Sequence, residues 1–483
     1  MNVRSIHWLI ILGTAAVALG WFAIALWWFG PSPAVVRLNR GLEYQNKGDL
    51  DRAIADYSEA IRLDPRFALA YYNRGHAYQA KGDLDHAIAD YSEAIRLDAK
   101  YAFAYNNRGN AYRAKGDLES AIADDNEAIR LDPKFALAFN NRCAVWNDKS
   151  DFDRAIADCS EAIRLDPKLV YAFYNRCNAW ANKGDHERAV ADCTEAIRLD
   201  PKLAPALSNR CNAWVNKGDP DRAIADCTEA MRLDPKSVYA FNNRCLAWVA
   251  KGDYGRAIAD CDEAIRLNPQ FVQTYRNRGN AYQAKGELDR AIADYNTAIR
   301  LDPKFALVYY NRGNAYRSKG DLDTAIADYS EAIRLDPKSF PAFNNRCGVW
   351  NDKGDPERAI ADCTEAIRLD PKLVIAFNNR CNAWVSKGDP DRAIADCDEA
   401  IRLNPTYAIA YLNRGNAYKT KADLDRAIAD YSEAIRLDPT FARAFVMRCR
   451  AWNDKGDRDR AMADCNEAIR LDPRYRLIIT QPG

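Results

Sequence analysis

Fourteen cysteines are the residues of this 483-residue chain whose type and spacing first suggest chemistry. They form seven pairs, the members of each sixteen residues apart: Cys143/Cys159, Cys177/Cys193, Cys211/Cys227, Cys245/Cys261, Cys347/Cys363, Cys381/Cys397 and Cys449/Cys465. Three readings of the pairs are open. They are small apolar side chains packed in a core, or disulfides, or metal ligands. A disulfide needs Cα atoms within about 7 Å, which is tight for packed helices whose axes lie about 8–10 Å apart. Zinc needs four converging donors, and the four histidines (His7, His76, His86 and His186) do not recur in phase with the cysteines.

Charge offers equally little to a catalyst. Lysine plus arginine number 69 and aspartate plus glutamate 68, a net charge of +1 that argues against a nucleic-acid partner. An arginine (Arg40 through Arg448) and an aspartate sixteen residues later (Asp56 through Asp464) recur thirteen times. A pair repeated in this way fits a structural ladder, its arginine stems covering apolar surface. No glycine-rich phosphate loop and no isolated nucleophile–base set stands above that background. The chain is therefore expected not to be an enzyme, with no catalytic residue, no metal site and no cofactor.

What positions these residues is a repeated element. From Ala34 to Tyr475 the chain is thirteen tandem copies of a 34-residue unit, beginning at residues 34, 68, 102, 136, 170, 204, 238, 272, 306, 340, 374, 408 and 442. Each copy reads as two antiparallel helices. Helix A covers about positions 2–14 and ends at Lys-Gly-Asp, where glycines such as Gly82, Gly116 and Gly320 can take positive φ. Helix B begins near position 17 behind an aspartate N-cap (Asp83, Asp117, Asp321) and stops at an Asp-Pro pair such as Asp302 and Pro303. Neither helix pair can bury its apolar stripe alone, so neighbours must stack.

In the copy Ala306–Ser339 the markers are Gly313, Tyr316, Ala325, Tyr329, Ala332 and Pro337. With the 34-residue period, they resemble the tetratricopeptide repeat over residues 34–475. That resemblance implies an all-α, right-handed superhelical solenoid of helix hairpins, used as a protein-interaction scaffold, with helix A lining a concave face.

The copies are of two kinds. All the cysteines sit at positions 8 and 24, and in those seven copies position 11 is tryptophan; in the other six, position 8 is glycine and position 11 tyrosine. Five of the six also have tyrosine at position 24. A volume-conserving exchange explains the switch, the larger tyrosine requiring glycine opposite it. The third copy breaks the set with Asp125, a carboxylate that should cost several kcal/mol unless paired or hydrated.

Position 6 is asparagine in twelve copies. Asn73, Asn107, Asn141, Asn175, Asn209, Asn243, Asn277, Asn311, Asn345, Asn379 and Asn413 are candidate peptide contacts, because an amide both donates to and accepts from an extended backbone. The alternative is that they satisfy neighbouring polar groups of the fold. Such a row is similar to the asparagine ladder of the O-linked N-acetylglucosamine transferase superhelix; nothing here resembles that enzyme's catalytic domain. Tyr72, Tyr174 and Tyr310 at position 5, and apolar residues at position 2, would supply selectivity or seal the seams between copies.

Residues 7–29 contain no arginine, lysine or acid and would span roughly 35 Å as a helix, long enough to cross a membrane. The expected organisation is thus a tail (1–6), a transmembrane anchor (7–29), a linker (30–33), the repeats (34–475) and a C-terminal tail (476–483). The flanking charges favour only slightly an extracytoplasmic large domain. The expected function is a membrane-tethered, single-pass scaffold binding an extended peptide or protein partner. The alternative is a structural or self-assembling solenoid, with self-association through its open end.

Overall fold

The computed structural model describes residues 31–476. Among them twenty-six helices form thirteen hairpins, and the chain divides into two compact units. Unit one, up to Pro235, holds copies one to six; unit two, from Lys236, holds copies seven to thirteen.

Copy nine shows how the local sequence makes a hairpin. Helix A runs from Ala306 to Lys319 and ends on Gly320, whose φ of 83° is the left-handed conformation that closes the last turn. Asp321 then caps helix B, Leu322–Leu335, its carboxylate accepting from the backbone N–H of Thr324 at 3.1 Å. The aspartate cap recurs in both units, for example at Asp83 and Asp117 in unit one. Ser150 and Ala422 hold the left-handed position without being glycine, at φ 58° and 61°.

Within each unit the hairpins stack, each helix B packing on the next helix A. In unit one this buries Ala121, Cys143, Ala155 and Cys159 beside Trp146; in unit two it buries Ala291, Tyr295, Val308 and Ala315. The tyrosine–glycine pairing explains the two kinds of copy. A Cβ added at Gly279 would lie 2.6 Å from a Tyr295 ring carbon, and one at Gly415 would lie 2.6 Å from Tyr431. No side chain fits there while the ring is present.

The reading of a membrane-anchored protein is corrected. Among the described residues no helix is long and apolar enough to cross a membrane. The repeat helices have 13 or 14 residues, against the roughly 20 a span needs. The expected anchor, residues 7–29, lies outside the described residues, as do residues 477–483, the greater part of the C-terminal tail. The membrane partner, single-pass localisation and extracytoplasmic placement that rested on the anchor are withdrawn with it.

Candidate functional site: the helix-A face

Position 6 and position 5 are joined from copy to copy. In unit one, Asn107 Nδ2 donates to the Tyr72 hydroxyl at 2.9 Å, Asn141 to Asn106 Oδ1 at 2.9 Å, and Asn175 to Asn140 Oδ1 at 3.0 Å. In unit two, Asn277 donates to Asn242 Oδ1, Asn379 to Asn344 Oδ1 and Asn413 to Asn378 Oδ1, all at 2.9–3.1 Å. Asn345 reaches both the Tyr310 hydroxyl at 3.1 Å and Asn314 Oδ1 at 2.8 Å. In copy eight position 5 is Arg276, which offers no acceptor, and Asn311 donates instead to Asn280 Oδ1 at 2.9 Å. Asn73 donates back to the carbonyl of Leu69. Asn243 accepts from Asn242 Nδ2 at 3.2 Å, and Asn209 is half-buried. One donor of most of these amides thus serves the stacking of copies. The 35-residue spacing of its acceptor is a signal the row of asparagines alone did not carry.

The three tyrosines are half-buried. Tyr72 packs against the rings of Tyr91 and Tyr101, and Tyr310 against Tyr329, with centroids 5.0–6.1 Å apart. Tyr174 lies beside the cluster of Phe173 and Leu203.

Position 2 is different. Leu69, Phe103, Leu137 and Tyr171 in unit one are 41–57% exposed, and Tyr239, Leu307, Ile375 and Ile409 in unit two are 41–64% exposed. Only three other large apolar side chains among the described residues are comparably exposed. The apolar surface is therefore concentrated at one register of helix A, where Phe103 and Tyr239 also pack on Phe135 and Phe271, the N-cap residues of the next helix A, with centroids 4.7 and 5.1 Å apart.

The recurring charges of the repeat, by contrast, are committed to the fold. Arg312 Nε and Nη2 donate to the two oxygens of Asp328 at 2.8 and 2.6 Å, while Nη1 donates to Asn296 of the preceding copy at 2.6 Å. The same triangle recurs at Arg74, Asp90 and Ser58, and at Arg346, Asp362 and Ser330. Burial raises the pKa of Asp328 and Asp430 against the pull of their arginines. Burial also pushes the Tyr57 hydroxyl up to about 12.

All seven cysteine pairs are disulfides, with Cα atoms 5.4–5.6 Å apart. The interaxial distance of packed helices was a misleading guide, because positions 8 and 24 face each other where the two backbones come nearest. The glycine needed at position 8 in the other copies already marked that point. Each tryptophan at position 11 is covered by an arginine at position 19, such as Arg154 over Trp146 at 3.7 Å and Arg256 over Trp248 at 4.0 Å. Arginine at position 19 is not confined to these copies: Arg290 lies over Tyr282 and Arg426 over Tyr418 in the same way. Among the described residues no three His, Cys, Asp or Glu side chains converge as a metal site.

Two family models match the chain. One, described as TPR repeat, covers residues 41–82, 109–145, 246–286, 279–316 and 382–421. The other, described as Tetratricopeptide repeat, covers 68–101, 170–203, 306–339 and 408–441. Together they reach more than half of the sequence. No curated protein matches it. Among solved structures, a chain of the APC/C hetero-tetramer Cut9–Hcn1 is similar at 15% identity and a TM-score of 0.55, over 93% of this chain and 95% of that one. Yeast Tom70 is matched at 18% identity and a TM-score of 0.40, over 93% and 99%. The first likeness shows a shared fold. With its buried charges absorbed by stacking and its hairpins in phase over thirteen copies, this chain belongs to the tetratricopeptide-repeat family.

Proposed function

We propose that the chain is a protein-interaction scaffold that holds an extended segment of a protein partner against the helix-A face. The exposed apolar residues at position 2 carry this reading: the fold leaves them in solvent at a fixed register, where burial by a partner would stabilise a complex. The asparagines at positions 6 and 9 would hold the partner's backbone through the amide groups that stacking leaves unused, and Tyr72, Tyr174 and Tyr310 would bias the choice of side chain. The amides also join copies, so replacing them mixes binding with stability. Position 2 gives the cleaner test. Random dodecapeptides displayed on phage are selected against the full chain and against a triple variant, Leu69→Ser, Leu137→Ser and Tyr171→Ser. Selected peptides rich in apolar residues should lose about tenfold or more in affinity for the variant, while its melting stays that of the parent. Equal affinity for both proteins, or no peptide recovered, would overturn the reading.

A further inference from the structure

Copies one and thirteen each expose a face that the other copies bury. Positions 3 and 10 of helix A are alanine, valine or threonine in copies two to thirteen, and all are 0–1% exposed, covered by helix B of the copy before. In copy one these positions are Val36, 49% exposed, and Glu43, also exposed. On helix B, position 21 is isoleucine or valine in the first twelve copies; in copy thirteen it is Met462, 62% exposed. Val36 and Met462 are two of the three exposed large apolar side chains outside position 2.

The polar groups of the two faces match as those of an internal seam do. Inside both units a lysine at position 14 pairs with the acid at position 18 of the preceding copy, as Lys81 does with Asp51 at 2.5 Å and Lys421 with Asp391 at 2.6 Å. The arginine at position 7 donates from Nη1 to residue 25 of the preceding copy, as Arg74 does to Ser58 at 3.0 Å and Arg414 to Asp398 at 2.6 Å. Copy one holds the unused half of both contacts, Lys47 and the Nη1 of Arg40, whose other nitrogens are on Asp56. Copy thirteen holds the other half, Asp459 and Asn466. Among the described residues the side chains of Lys47, Asp459 and Asn466 have no partner.

One further pair belongs to the ends alone. Position 10 shares a cluster with position 17 of the preceding copy, Val145 with Leu118 in unit one and Val349 with Leu322 in unit two. Position 17 is arginine only in copy thirteen, Arg458, and position 10 is an acid only in copy one, Glu43. Both are exposed and neither side chain has a partner among the described residues. In an internal seam either charge would be buried against apolar neighbours with nothing to pair it. Against each other they form an ion pair. The same two residues thus keep the end copies from stacking on middle ones and fit them to one another.

We infer that the chain joins end to end with a second copy of itself. Helix A of copy one, Pro33–Asn46, packs on helix B of copy thirteen, Arg458–Leu471, of another molecule, with Glu43 on Arg458, Lys47 on Asp459 and Arg40 on Asn466. The signs of the charges select this occupant. A face with arginine at position 17 and an acid at 18 calls for an acid and a lysine one turn apart, which Glu43 and Lys47 supply. The two faces differ, so the contact is heterologous, and each molecule added leaves one face of each kind free. The inference does not depend on the scaffold reading.

Sedimentation velocity of the full chain over a concentration series reads the junction. The parent should gain mass with concentration, and less so in added salt. Glu43→Arg alone and Arg458→Glu alone should each raise the concentration required by about tenfold to a hundredfold, and the two together should restore it. Lys47→Glu and Asp459→Lys should behave in the same way. All four sites are exposed, so the melting temperature should not move. A single mass at every concentration up to about 100 μM would mean that the faces are covered or unused, and would overturn the inference. Equal association in the parent and the single variants would place the contact elsewhere in the chain and overturn it too. So would a double reversal that fails to restore what each single one removes. Peptide binding at position 2 should be the same in all of these proteins, which keeps this test apart from that of the scaffold reading.

Discussion

Replacing Asp125 by tyrosine should strengthen the protein, and the structure says by how much. Asp125 is 0% exposed, and neither of its oxygens has a hydrogen-bond partner. Its surroundings are those of Tyr329 in copy nine. Gly109 stands opposite as Gly313 does, and buried Val145 of the following copy matches Val349, which packs on Tyr329. Asn110 holds the position from which Asn314 accepts the Tyr329 hydroxyl. A ring at residue 125 thus meets a site already shaped for it. Truncating a buried aromatic costs about 3–5 kcal/mol, and an unsatisfied buried polar group about 1–3 kcal/mol; Asp125→Tyr reverses both. A gain of at least about 3 kcal/mol should slow amide hydrogen exchange in residues 102–131 by about a hundredfold or more where local opening governs it. Asp125→Asn, which cannot ionise in either state and leaves the hole, should recover much less. Exchange in Asp125→Tyr as fast as in the parent would refute the argument that copy three lacks only a ring.

Asp125 also makes stability depend on pH. Burial, with the charge of Asp124 adding to it, raises its pKa well above the usual carboxylate range, against weaker opposing pulls from Arg142 and Arg113. The folded form keeps a proton that the unfolded chain releases near pH 4. Stability should therefore fall with rising pH above about 4, by up to about 1.4 kcal/mol per pH unit, until the folded group ionises; a parent–Asp125→Asn difference independent of pH would count against this. Thiol titration of the unreduced, denatured protein should find none of the fourteen cysteines free, and reduction should lower the melting temperature, each sixteen-residue closure contributing about 3 kcal/mol. Ala422→Gly should stabilise by about 1 kcal/mol in denaturant unfolding, since φ there is 61°. Arg312→Ala should destabilise by about 3–5 kcal/mol, because it strands the buried Asp328 carboxylate.

The helices and their ends were legible because each is set by short-range chemistry: an aspartate cap, a left-handed glycine, a proline that stops the next turn. The glycine–tyrosine match was legible because volume is additive across a tight contact. The disulfides were left open because an average helix separation says nothing about the one level where two helices touch. The partners of the asparagines depend on how consecutive copies register, which no single copy encodes. The departures at Glu43 and Arg458 were overlooked for the opposite reason: a repeat read for what recurs hides the residues that occur once.

The seven disulfides also make the chain mechanically uneven. Drawn out from its ends, a glycine-type copy can release all of its length. A cysteine-type copy withholds the fifteen residues between its two cysteines, about 50 Å at roughly 3.4 Å per residue. Copies four to six of unit one, and seven, ten, eleven and thirteen of unit two, would each rupture with a short step, and the remaining copies with a long one. A reductant in the bath would make all the steps alike, so the extension trace of a single molecule reports which hairpins are closed by sulfur.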